Sequence, residues 1–338
     1  MPVELAHVMR GEVLESVHFG DFVVADTGAA ATCVAGEPER YTFYRSSAKP
    51  LQALAVIVSG AAERFGFDDR EIALCCASHC GSQEHTEIVT GMLERIGLRD
   101  TDLQCGIHPP DDEAARECLA ATGEAAGPLH NNCSGKHAGM LATCLVLGAD
   151  IATYLEPSHP LQQMNLRHIA ELGRVAPEDI RIAEDGCGAP TFALPLRGIA
   201  TSFARLASPE GLAPELVAAA EWIKRAMLAF PHLVGARDTF AEKLMGATYG
   251  APENPKRIVL KGGAEGLICA GLPEVGLGIA IKISDGSHRA HPPLLLEVLR
   301  RLGVLDPRHE ADLTPYITPL ITNAHGHTVG EIRAMLPR

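Results

Sequence analysis

The sequence predicts an α+β protein: an antiparallel sheet built from N- and C-terminal strands, with a helical region between. Three observations lead there. β-rich, partly alternating runs occupy residues 3–45. Similar runs return at Arg257–Leu260 and Gly276–Ile283. The stretch between carries helix-length apolar patterns and no internal repeat. At 338 residues the chain is long enough to bury a sizeable core as one catalytic unit. Its sheet-bearing part is placed at about 1–80 and 250–338, and its mainly helical part at about 81–250.

The elements follow in order. Val13–Phe19 and Phe22–Asp26 read as strands, with Gly20-Asp21 as the turn between them. Ser46 to Phe65 reads as a mainly buried helix, with Pro50 tolerated only in its first turn. Ile72–Ala77 reads as a buried strand that ends at Ser78. Helices are expected over Glu84–Ile96, Asp112–Thr122, His137–Leu147 and Leu161–Gly173. A short strand, Ile180–Ala183, leads into Asp185-Gly186-Cys187-Gly188, and two or three helices fill 193–247. Arg257–Leu260 is read as a strand ending at Lys261, with Gly276–Ile283 antiparallel to it. A helix at Pro292–Leu302 and a short strand or turn around Ile317–Val329 finish the chain.

Composition narrows the function. A formal net charge of −13 repels phosphate backbones, so nucleic acid is not an expected partner. The first twenty residues lack a basic start and an apolar run, and the longest apolar stretches are too short to span a bilayer. A cytoplasmic protein with no membrane partner is the expectation, and its ten cysteines are then reduced thiols. Asp26-Thr27-Gly28 reads as a turn, His325-Gly326-His327 as a polar loop, and the glycines after Lys261 do not make a phosphate loop.

Only seven lysines occur, and three lie in short motifs: Ser46-Ser47-Ala48-Lys49, Cys133-Ser134-Gly135-Lys136 and Lys261-Gly262-Gly263. Ser-x-x-Lys, then a second serine at Ser78-His79-Cys80, then Lys-x-Gly is the order of enzymes that activate a serine with lysine. Lysine can lose its proton where a site lowers its pKa; arginine cannot. On a helix, i and i+3 share a face, so Lys49 meets Ser46 and not Ser47. If the strands ending at Ser78 and Lys261 are neighbours, those two residues form a second pair. The plainer alternatives are that Ser46 or Ser47 caps a helix, Ser78 lies in a turn and Lys261 ends a solvated strand. Arg45 is a candidate carboxylate clamp or a surface arginine. Cys133, Lys136 and Cys187 lie in polar, glycine-bearing segments, with His137 and Asp185 beside them. Two thiolates and an amine would make an unusual zinc site; otherwise the cysteines are buried neighbours lining a pocket.

With these blocks in order, and with His130-Asn131-Asn132-Cys133-Ser134-Gly135-Lys136-His137 the most specific, the chain resembles the rhizobial-type L-asparaginases over essentially its whole length. The resemblance implies a β-lactamase/glutaminase-like fold and hydrolysis of L-asparagine through two Ser–Lys tandems, Ser46 with Lys49 and Ser78 with Lys261. It implies zinc on Cys133, Lys136 and Cys187, and a homodimer. Arg45, His79, His137 and Asp185 are the candidate substrate contacts, with the metal site and Asp185 at the amino-acid end of the substrate. Cys80 departs from the serine of many relatives. The rivals are a glutaminase, a penicillin-recognising enzyme, and a non-catalytic zinc- or amino-acid-binding protein.

Overall fold

The computed structural model describes residues 1–248, 257–305 and 307–336. In chain order its strands are β1 (Val3–Arg10), β2 (Val13–Asp26), β3 (Ala31–Ala35), β4 (Tyr41–Phe43), β5 (Arg181–Glu184), β6 (Pro190–Pro195), β7 (Val259–Gly263), β8 (Leu267–Leu272), β9 (Leu277–Ile283), β10 (Leu320–Thr322) and β11 (Thr328–Ala334). Its helices are α1 (Lys49–Val58), α2 (Ala61–Arg64), α3 (Asp69–Cys75), α4 (Gln83–Arg95), α5 (Glu113–Thr122), α6 (Ser134–Leu147), α7 (Pro160–Gly173), α8 (Leu196–Ala207), α9 (Pro214–Ala229), α10 (Pro231–Val234), α11 (Phe240–Thr248), α12 (His291–Arg301) and α13 (Pro307–Ile317).

Two compact units divide the chain: Met1–Ser47, Leu194–Ser208 and Lys243–Arg338 form one, Ala48–Ala193 and Pro209–Glu242 the other. The first is the sheet-bearing unit. Its sheet runs β10-β11-β1-β2-β9-β8-β7, with β3 also on β2, so N- and C-terminal strands interleave as the sequence predicts. The pairs β1–β11, β1–β2, β10–β11, β2–β3, β2–β9, β7–β8 and β8–β9 are all antiparallel. Helix α8 covers β8 and β9 so closely that a Cβ on Gly278 would lie 1.9 Å from the Ala200 carbonyl. The missing side chains of Gly278 and Gly271 let helix backbone touch sheet backbone.

Three strand readings are corrected here. Gly20-Asp21 is no turn: β2 runs through it for 14 residues, and Gly20 serves close packing, since a Cβ there would meet the Lys282 carbonyl at 2.3 Å. Asp21 gave the segment a polar, turn-like look; it is fully buried and satisfied by Arg40 Nη1 and the Glu37 amide, both at 2.8 Å. Lys261 lies inside β7 rather than after it, and β7 pairs with β8, which the sequence reading passed over. β9 pairs with β8 and β2.

The second unit is mainly helical. Ile72–Ala77 is not a strand; most of it belongs to α3, started by a capping box in which the Asp68 side chain accepts from the Glu71 amide and Glu71 accepts from the Asp68 amide. Residues 48–80, placed with the sheet by the sequence reading, belong to this unit and carry α1, α2 and α3. Helix α6 is its buried axis, with Ser134–Cys144 all buried. Gly135 and Gly139 let α6 lie against α3: added Cβ atoms would meet the Leu74 carbonyl at 2.6 Å and Cys75 Sγ at 2.7 Å. β5 and β6 pair antiparallel, and the turn Asp185–Ala189 between them carries Cys187. The expected helix from Ser46 to Phe65 is a 3-10 turn, Arg45–Ala48, followed by α1 and α2, broken at Gly60 with φ 81°. No helix among the described residues is long and apolar enough to cross a membrane.

Candidate active site

In the sheet-bearing unit, the turn that carries Ser46 is held by Tyr44. Tyr44 is fully buried, its hydroxyl paired with Ser202 Oγ at 2.6 Å, and its carbonyl accepts from Ser47 Oγ at 2.6 Å and from the Ser47 amide. Ser47 is thus spent on structure and wholly buried, while Ser46 is half-buried. The residue before it, Arg45, has φ 49°, a left-handed conformation that costs a non-glycine residue on the order of 1–2 kcal/mol. Strand β7 backs onto this turn: a Cβ at Gly263 would meet the Tyr44 carbonyl at 2.5 Å and the Ser47 amide at 3.3 Å. Lys261, two residues earlier on that strand, is buried and donates to the Gly262 carbonyl at 3.0 Å.

In the helical unit, Lys49 is 1% exposed, and its Nζ donates to Ser78 Oγ at 2.9 Å and to the Asn132 carbonyl at 3.3 Å. The sequence reading paired Lys49 with Ser46 and Ser78 with Lys261; a Lys49–Ser78 bond was outside it. Ser78 follows the C-terminus of α3, its amide tied to the Val234 carbonyl at 2.8 Å. Next to it, His79 is buried and neutral: burial first, then the neighbouring His85 and Lys49, hold it well below the usual imidazole range. The Gly81 amide donates to His79 Nδ1, so Nε2 carries the proton and donates to Ser134 Oγ at 2.9 Å, which in turn donates to the Leu129 carbonyl. Nε2 thereby helps fix the start of α6, and Nδ1 holds the backbone at Gly81.

The three residues proposed for zinc come together within this unit. Cys133, Lys136 and Cys187 are each at most 5% exposed, and Lys136 Nζ lies 3.0 Å from Cys187 Sγ. Donation from Cys133 pulls Cys187 down to about 4, against the effect of burial and with help from Lys136. Cys133 is pushed up to about 12 by the same bond, then by burial. Burial would lower Lys136, but the sulfurs of Cys187 and Cys133 outweigh it and raise it. The cluster is a thiolate held between an ammonium and a thiol. The donor set, two sulfurs and an amine, fits zinc in kind. Among the described residues no group of three or more His, Cys, Asp or Glu could hold a metal, so lysine is needed to complete any such set.

His137 is fully buried; its Nδ1 pairs with the Tyr154 hydroxyl at 2.6 Å while its Nε2 lacks a partner. Burial, then Lys136, keeps it neutral. Asp185 accepts from the Gly186 amide, and its charge reaches Lys136. Sequence reasoning missed Asn132, Ser134 and Tyr154. Asn132 carries the clearest signal, a polar residue in a glycine-bearing loop; its carbonyl accepts from Lys49 and its Oδ1 lies 3.0 Å from Cys133 Sγ.

No curated protein matches the chain in sequence. Among solved structures it is similar to a β-lactamase from Mycobacterium bovis at 15% identity, with 83% of this chain and 94% of that one covered and a TM-score of 0.43. It is also similar to Mglu in its native form at 16% identity, with 85% of this chain and 65% of that one covered and a TM-score of 0.38. Likenesses of this strength carry no argument about substrate. The family match is of another kind, because it spans residues 6–334 and so takes in each lysine motif, both serines and both cysteines. On that match the chain belongs to the L-asparaginase II family, and it is an amidohydrolase.

Proposed function

We propose that the chain hydrolyses L-asparagine to L-aspartate and ammonia through an acyl-enzyme on a lysine-activated serine. The observation that carries this reading is the hydrogen bond from buried Lys49 to half-buried Ser78 in a member of this family. The proposed step uses Lys49 as the free amine: with its two N–H bonds spent on Ser78 and the Asn132 carbonyl, the lone pair is left to take a hydroxyl proton. Ser46 is assigned the attack, because Ser47 is spent on the Tyr44 carbonyl. Its Oγ bonds to the side-chain amide carbon as Lys49 takes the proton. Collapse of the adduct breaks the C–N bond, and the proton leaves with ammonia by way of Ser78. Water then adds to the ester, breaks the Oγ–C bond and restores the serine. Lys261 is assigned the second relay lysine. Arg45, His137 and Asp185 face the substrate in this proposal, and His79 is given a positioning role.

Ammonia release from asparagine, glutamine and a chromogenic β-lactam tests the reading. Asparagine should be the best substrate; glutamine as the better one makes the chain a glutaminase, and no release from either rejects the proposal. Ser46→Ala should lose on the order of a thousandfold or more in kcat. A second reading, acylation of Ser78 itself, is favoured by its bond from Lys49. Trapping with an electrophilic asparagine analogue and mass spectrometry of the peptides decides between Ser46 and Ser78.

Zinc is proposed on Cys133, Lys136 and Cys187, where it would supply fixed positive charge. Lys136 and Cys133 hold protons that metal uptake must displace. Metal analysis should find about one zinc per chain in the wild type and almost none in Cys187→Ser, as one three-donor site requires. The proposed assembly is a cytoplasmic homodimer, which light scattering checks.

A further inference from the structure

We propose that Arg45 and Glu265 form one clamp for the two charged α-substituents of an amino-acid substrate, Arg45 taking the carboxylate and Glu265 the ammonium. The inference rests on the amidohydrolase reading above and deepens it. Both residues belong to the sheet-bearing unit. Arg45 precedes Ser46 directly, and Glu265 lies in the loop Ala264–Gly266 that joins β7 to β8, beyond Lys261.

The backbone marks this pair. Arg45 has φ 49° and Glu265 φ 61°, both in the left-handed region that favours glycine. Few other non-glycine residues among those described share it: Ala29, Arg174 and Asp238. A hairpin loop that needs positive φ at two successive positions is ordinarily built from Asn-Gly or Gly-Gly, and here the first position carries glutamate before Gly266. Strain kept at both ends of one ion pair is the pattern expected where side chains are aimed at a ligand.

The pair is also set apart by its fit. Arg45 Nη1 and Glu265 Oε1 approach to 3.8 Å, beyond the reach of a direct hydrogen bond. Glu265 is 71% exposed and Arg45 29%. Other groups hold the glutamate in place: Lys282 Nζ donates to its carbonyl and to that of Ile283. Gly286 leaves room for its carboxylate, since a Cβ there would come within 3.1 Å of Oε2. Two opposite charges facing each other across a short gap match the two opposite charges that an α-amino acid carries on a single carbon. Guanidinium binds carboxylate as a fork, and carboxylate binds ammonium by charge-assisted hydrogen bonds. A zwitterion is neutral as a whole, so it approaches a chain of net charge −13 without the penalty an anion meets.

Two ligand pairs test the clamp. Succinamate is asparagine without its α-ammonium, and succinate is aspartate without it. The wild type should prefer L-asparagine over succinamate in kcat/KM, and L-aspartate over succinate in calorimetric binding, by about 10- to 100-fold, the range of one charged hydrogen-bonding partner. Glu265→Gln should erase most of both preferences, chiefly through KM, and Glu265→Asp should restore part of them. The clamp is overturned if Glu265→Gln keeps the wild-type preferences. The calorimetric arm needs no turnover. A chain that binds aspartate selectively but releases no ammonia would sink the amidohydrolase reading and leave the clamp standing.

Discussion

At the scale of single residues, the lysines do the deciding. Lys49, Lys136 and Lys261 are all buried, and each has a hydrogen-bond acceptor within 3.0 Å. Lys49→Met keeps the stem length and removes the amine. It should lower kcat on asparagine by about a thousandfold with a smaller change in KM, measured by ammonia release on protein of wild-type circular dichroism; a loss confined to KM would take Lys49 out of the chemistry. The motifs that carry Lys49, Ser78, Lys136 and the two cysteines could be read from the sequence because each is a short local pattern. Their pairing could not. Helical spacing speaks only for neighbours one turn apart, whereas Lys49 meets a serine 29 residues on. Glu265 was invisible for a related reason, since a left-handed φ leaves no trace in an Ala-Glu-Gly triplet.

At the scale of elements, glycine positions report how tightly helix and sheet backbones meet. Gly278→Ala should destabilise the protein by about 1–3 kcal/mol, because its Cβ would press on Ala200 and Ala204 backbone atoms and neither backbone has room to give. Gly186→Ala, with open space around it, should be close to neutral. Thermal melts of both variants check the contrast; equal midpoints would mean that α8 shifts freely on the sheet. Most helices were legible from apolar periodicity, and α4 and α5 fall within a residue or so of expectation. α3 was not, because a six-residue apolar run suits a buried helix as well as a buried strand. The signal that separates them, Asp68 three residues before Glu71, was present in the sequence. β2 misled in the opposite way, with a buried aspartate and a packing glycine posing as a turn.

At the scale of the whole molecule, buried imidazoles set the acid limit. His168 in α7 and His291 in α12 are both held down to about 4, first by burial, and each has a ring nitrogen without a partner. An unfolded imidazole takes its proton near 6.5. Between that pH and about 4 the unfolded chain binds protons that the folded one refuses, so stability is full above 6.5 and falls as pH drops through the window. Urea midpoints measured from pH 7 to pH 4 should decline, and His168→Gln should flatten the slope; an unchanged slope would assign acid sensitivity elsewhere. The fold class was legible at this scale because strand-like runs cluster at both ends of the chain. The order of strands was not, since register between distant segments is decided by contacts that no local window contains.

That order has a consequence for biosynthesis. β1 is flanked by β2 on one side and by β11, more than three hundred positions downstream, on the other. A ribosome emits residues one after another, so the β1–β2 hairpin must wait with one edge open while the roughly three hundred residues up to β11 are made. Such an edge is a template for stray strands, and closing so long a loop is slow. Refolding from urea should accordingly end with the docking of β11, and nascent chains halted before Thr328 should engage chaperones that the released protein no longer needs.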